Sequence, residues 1–166
     1  MTERFTFFWR GTSPFSQWHM IGFTVDGSTY NCAEQFMMAG KARLFGDAKT
    51  EAKIMAAADP GKQKSLGRSV RPFELDIWNE SARKIVYRGN HAKFTQNPLP
   101  MGRLLETRGT TLVEASPTDR IWGIGLAEED PRALDRSTWL GTNWLGEVLT
   151  QLREDLIAEK DITASA

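Results

Sequence analysis

The hydrophobic and polar positions divide the chain into short extended runs near its start and longer helical stretches after them. Residues 4–10 are aromatic-rich and predict a strand, ended by the glycine- and proline-bearing stretch 11–14. Residues 23–25 and 29–30 flank Asp26-Gly27, the turn signal of a hairpin. From 33 to 45 the pattern becomes helical, and Asp47 stands as an N-cap before a helix over 48–58. Pro60 opens a short helix that Gly67 is expected to break. Pro72 leads into a long helix over 73–89, with Leu75, Trp78, Ala82, Ile85 and Val86 near helical spacing. A helix over 98–107, a strand over 111–114 and a glycine-punctuated loop over 122–125 follow. The last helix, 145–158, carries Leu149, Leu152 and Leu156 on one stripe. Residues 162–166 read as a frayed tail. Helices outnumber strands and no strand–helix alternation appears. The expectation is an α+β chain: one predominantly helical domain over 1–166 with a small sheet.

Composition narrows the classes of function. The 166 residues include 21 Lys plus Arg and 21 Asp plus Glu, with 40% apolar residues. A chain of this length buries about two-thirds of its unfolded surface, so its core needs no staple. Zero net charge argues against a long polyanion-gripping surface. No apolar run reaches 18 residues, and the opening MTERFTFFWRGT lacks the pattern of a secretory signal, so neither a membrane span nor a leader is expected. Cys32 is the single cysteine, which excludes an internal disulfide framework and a Cys-pair zinc site. With only His19 and His91 beside it, no metal and no organic cofactor is expected, and the setting is read as cytoplasmic.

The even charge is unevenly distributed. Residues 1–39 hold two basic and three acidic side chains, residues 40–108 hold fourteen and seven, and residues 109–166 hold five and eleven. The segment balances are therefore −1, +7 and −6. Solvated helix faces of mixed charge account for this, and so does a local positive field for a small phosphorylated ligand.

Three stretches concentrate chemistry. On the helix over 33–45, Glu34 and Lys41 stand seven residues apart, about two turns, so they project from nearly one face. They form either a solvent-facing pair or a charged pair lining a cleft, where desolvation and mutual attraction would tune both groups. A carboxylate in a cleft stabilises developing cationic charge or acts as a base, and a lysine of lowered pKa is a nucleophile. In LVEASPTDRIWGIG, residues 112–125, Glu114 follows an apolar run, and Asp119, Arg120 and Trp122 share a loop held by Pro117, Gly123 and Gly125. Trp122 is either core or a plate for a flat ring. In residues 8–18, Arg10 with Thr12, Ser13 and Ser16 suits either a phosphate or sugar contact or a hydroxyl-stabilised turn, with Phe15 and Trp18 as apolar walls. The S-x-x-K match at Ser81 and Lys84 lies inside a predicted helix without companion motifs and is set aside.

In order along the chain, FWRGTSPFSQW, YNCAEQFMMAGKARLFGD, LGRSVRPF, WNESARKIVYRGNHAKFTQNP, LVEASPTDRIWGIGL and WLGTNWLGEVL resemble the motifs of the NADAR, or YbiA-like, N-glycosidase family. The resemblance runs from Phe5 to about Leu156. It implies cleavage of an N-glycosidic bond between ribose and a base. The implied substrates are phosphoribosylated aminopyrimidine intermediates of riboflavin synthesis, releasing ribose 5-phosphate, or ADP-ribose carried on guanine in nucleic acid.

Matched residue by residue, the resemblance makes Glu34, Lys41 and Asp119 the catalytic set. It assigns Arg10, Gly11, Phe15, Trp78, Lys93, Trp122 and Asn143 to substrate binding, with Gly146 completing the Asn143 signature. Glu34 or Asp119 then faces an oxocarbenium-like state, and Trp78 or Trp122 stacks the base. Lys41 attacks the anomeric carbon, captures the opened sugar as an imine, or pairs with Glu34 and the substrate phosphate. The implied partner is a small ribosylated or ADP-ribosylated substrate or ADP-ribosylated nucleic acid, with no membrane involved. The competing class is a non-catalytic module that reads ADP-ribose or a nucleotide with the same pocket.

Overall fold

A computed structural model describes residues 2–165. The elements run β1 (Phe5–Phe8), β2 (Phe23–Val25), β3 (Ser28–Tyr30), α1 (Ala33–Leu44), α2 (Ala48–Ala56), α3 (Pro60–Arg68), α4 (Leu75–Thr95), α5 (Pro98–Glu106), β4 (Thr111–Glu114) and α6 (Trp144–Ser165). Two short 3₁₀ turns, Pro131–Leu134 and Arg136–Thr138, lie between β4 and α6. The α+β class and the helical predominance stand. The expected sheet is two separate ladders, β1 with β4 in parallel and β2 with β3 antiparallel. The chain forms two compact units, a middle unit of Gln17–Asn97 and a terminal unit that joins the N-terminal stretch through Ser16 to the chain from Pro98 onward.

In the middle unit, α1 is the central element, packed by α2, α3 and α4. Ala33 through Ala39 are all buried, so α1 is covered nearly all round rather than along one stripe. Close approach to its neighbours requires notches. A Cβ on Gly89 of α4 would stand 2.5 Å from Phe36 Cδ1, and one on Gly67 of α3 would overlap the Met38 sulfur. These contacts explain two departures from expectation: α3 runs through Gly67 to Arg68, and α4 runs past Gly89 to Thr95. Both glycines are packing surfaces, where local propensity alone reads a stop. Asp47 caps α2, its Oδ1 accepting from the Thr50 amide at 3.0 Å, and Asp59 caps α3 through the Lys62 amide at 2.9 Å. Gln35 is buried but satisfied: its Oε1 accepts from the Asn31 amide at 2.8 Å and its Nε2 donates to the Ile54 carbonyl at 3.1 Å.

In the terminal unit, β1 pairs with β4 in register Phe5 to Thr111 through Phe8 to Glu114, and α6 packs on β4. The strand stops at Phe8, short of the expected Arg10, because β4 offers four partners and Arg10 turns to φ 72°. Buried Arg153 of α6 donates to the Thr107 carbonyl at 2.9 Å and the Thr110 carbonyl at 2.7 Å, tying the helix to the turn before β4. The expected tail is helical through Ser165, and Ala166 lies outside the described residues. No helix of the described residues is long and apolar enough to cross a membrane.

Candidate active site

Glu34 sits in the first turn of α1 and is only 3% exposed. Its amide donates to the Gln17 carbonyl at 2.9 Å, and the Gln17 side-chain oxygen accepts from Asn90 Nδ2 of α4 at 2.8 Å. One glutamine therefore fixes the start of α1 against α4. Lys41, two turns farther on, is half-buried, and its Nζ lies 4.6 Å from the Phe73 ring centroid and 5.5 Å from that of Trp78. Burial pushes its pKa down, the neighbouring Arg71 and Arg68 push it further, and Glu34 opposes them. Glu34, Lys41 and Trp78, expected together from the resemblance, are brought together around α1.

Lys93 is placed differently. It is fully buried, and burial alone brings its pKa down to about 7. Its field reaches Cys32, itself fully buried, whose thiol burial pushes up to about 11. Lys93 has no exposed surface among the described residues.

In the terminal unit, Asp119 and Trp122 come together. Asp119 Oδ1 accepts from the amides of Ile121 at 2.9 Å and Trp122 at 2.8 Å, closing the turn that carries the indole. Trp122 is half-buried and meets Trp144 edge-on at 5.6 Å. The loop is tight: a Cβ on Gly123 would stand 2.8 Å from the Glu114 carbonyl oxygen. Arg10 is exposed and lies over the Trp9 ring at 4.5 Å, Gly11 follows it half-buried, and Phe15 is buried against Phe8 at 5.7 Å. Phe15 thus packs as core. Asn143, at φ 53° and with no exposed surface, donates from Nδ2 to the Leu112 carbonyl and accepts at Oδ1 from the Glu114 amide, both at 3.0 Å. Its amide is engaged on both sides by β4, so it positions Glu114 and the following loop.

Phe73, Arg68 and Arg71 lie in the motif LGRSVRPF but in no periodic pattern that marks them. The aromatic residue two positions after Arg71 was the available signal.

The profile described as NADAR domain matches residues 7–157. The protein named N-glycosidase R617 of Acanthamoeba polyphaga mimivirus is 44% identical over 165 residues, covering 93% of this chain and 97% of its own. The chloroplastic riboflavin biosynthesis protein PYRR of Arabidopsis thaliana is 33% identical over 116 residues, 68% of this chain but 18% of that longer protein. The NMR structure of the E. coli protein YbiA matches with a TM-score of 0.78 at 26% identity, over 96% of this chain and 89% of that one. The chain belongs to the NADAR family.

Proposed function

We propose that the chain is an N-glycosidase that hydrolyses the bond between ribose and a base, with a phosphoribosylated aminopyrimidine as substrate and ADP-ribosylated guanine as the alternative to test beside it. The observation that carries this reading is the pairing around α1: a carboxylate 3% exposed and a lysine two turns away beneath two aromatic rings. The relative named N-glycosidase, matched over nearly its whole length, supports the reaction class. A reducing cytoplasmic setting suits Cys32, a buried free thiol.

Cleavage of an N-glycosidic bond gathers positive charge on the anomeric carbon and ring oxygen. Glu34, withdrawn from water, stabilises that charge more strongly than a solvated carboxylate would. Lys41 acts in its neutral form, its nitrogen adding to the anomeric carbon as the carbon–base bond breaks. The bonding electrons leave on the base nitrogen, which takes up the proton that the Lys41 nitrogen sheds on bonding, and water then adds to the anomeric carbon, releasing the sugar and restoring the Lys41 amine. Trp78 offers a flat face to the base, since its polar edge and apolar plate suit a heteroaromatic ring. Asp119, the other carboxylate that the resemblance assigns, closes a turn of the terminal unit through Oδ1. The test is incubation with both substrates while following free sugar. Release from either supports the reaction, and release from neither contradicts it.

A further inference from the structure

We propose that Arg68 and Arg71 hold the 5′-phosphate of the substrate's ribose beside Lys41 and so make the site selective for phosphorylated ribosides. The inference rests on the N-riboside reading above and adds two residues to it.

The geometry begins with Gly67. Because it has no side chain, α3 closes onto Met38, which lies between Glu34 and Lys41 on α1. The next residue, Arg68, is the last of α3 and exposed beside that contact. Arg71 follows in the turn, where its Nη1 donates to the carbonyls of Arg68 at 3.1 Å and Val70 at 2.7 Å. Val70 is fully buried, which anchors that turn. Two residues on, Phe73 receives the Lys41 ammonium over its ring. One turn therefore carries both arginines and the aromatic wall of Lys41.

Lys41 feels one acid, Glu34, against two further cations, Arg68 and Arg71. Among the described residues neither Arg68 nor Arg71 pairs with a carboxylate. Asp47, the N-cap of α2, accepts from amides, at Oδ1 from Thr50 and at Oδ2 from Arg71. The positive charge of both arginines reaches Lys41 and lowers its pKa. Across the middle unit, residues 17–97, twelve basic and eight acidic side chains leave a balance of +4. A guanidinium held by backbone carbonyls keeps its remaining N–H groups in a fixed fork, the geometry that phosphate oxygens accept in pairs. Phosphate bound there would also offset the repulsion that Lys41 experiences from the two arginines.

The test is a titration that needs no turnover. Ribose 5-phosphate, ribose, inorganic phosphate and ADP-ribose are added to the full chain while tryptophan fluorescence and heat are followed. Ribose 5-phosphate is expected to bind at least tenfold more tightly than ribose, and Arg71→Gln and Arg68→Gln to shrink that ratio toward one. Arg71→Lys, which keeps the charge, is expected to recover part of it. Arg68 is exposed, so its variant keeps the measurement informative if Arg71→Gln fails to fold. Tighter binding of ADP-ribose, lost in the same variants, supports the pair and identifies a diphosphate as the occupant. A wild-type ratio near one, or a ratio unchanged in both variants, overturns the proposal. Failure of sugar release with this ratio intact would sink the catalytic reading alone.

Discussion

The ammonium nitrogen of Lys41 lies 4.6 Å from the centroid of the Phe73 ring. That contact favours the charged lysine by about 0.5–2 kcal/mol, depending on how dry it is. Burial and the two nearby arginines act against it, and the net effect lowers the Lys41 pKa from its ordinary value. A lysine held this way keeps its ring contact and its position while yielding its proton more readily than a solvated one.

If the neutral amine is the reacting form, sugar release rises with pH and levels off below the pH at which a free lysine titrates. Lys41→Met and Lys41→Arg are both expected to lose at least 100-fold in kcat, because the first removes the nitrogen and the second never deprotonates at working pH. Initial rates across a pH series check this. Retained activity in Lys41→Arg would show that a fixed positive charge suffices and that no nucleophile is involved.

Lys93 provides a stability signature. Its folded value of about 7 lies below its unfolded value of 10.5, so the unfolded chain binds more protons between the two. Stability therefore rises with pH across that window, and the penalty is fully present below it. Between about pH 7 and about pH 8.5 the gain is roughly 1.5 kcal/mol. Cys32, held up at about 11, stays protonated throughout. Urea unfolding at both ends of the window is expected to show the rise in wild type and to lose it in Lys93→Met. An equal rise in the variant would assign it to another group.

Asn143→Ala removes one partner each from the Leu112 carbonyl and the Glu114 amide and leaves alanine at φ 53°. The expected cost is about 3–5 kcal/mol, from two buried polar groups stripped of a bond and a left-handed backbone. Asn143→Gly restores the backbone freedom and is expected to recover about 1 kcal/mol of it. Chemical denaturation of both variants measures the difference. A loss under about 1 kcal/mol in Asn143→Ala would mean that the β4 clamp is not structural.

Much of this organisation was legible because it is local. Asp26-Gly27 marks its hairpin since both residues adopt positive φ, 52° and 81°, and Asp47 marks a helix start by its side-chain chemistry. The Glu34–Lys41 spacing followed from helical periodicity alone. What escaped depends on neighbours far along the chain. Gly67 and Gly89 look like breaks until Met38 and Phe36 are seen to need the space. The burial of Lys93 was readable, since it continues the buried positions Val86, Gly89 and Asn90 at helical spacing. The influence of Arg68 and Arg71 on Lys41 depends on the path of a turn, which no periodicity encodes.

The most direct measurement compares wild type and Glu34→Gln for sugar released from a phosphoribosylated aminopyrimidine and from ADP-ribosylated guanine, with ligand binding followed in parallel. Wild type is expected to free sugar from at least one of them, and Glu34→Gln to bind that substrate but release it about 10²–10³-fold more slowly. Release from neither substrate, or a variant that keeps the wild-type rate, would contradict a catalytic carboxylate at Glu34.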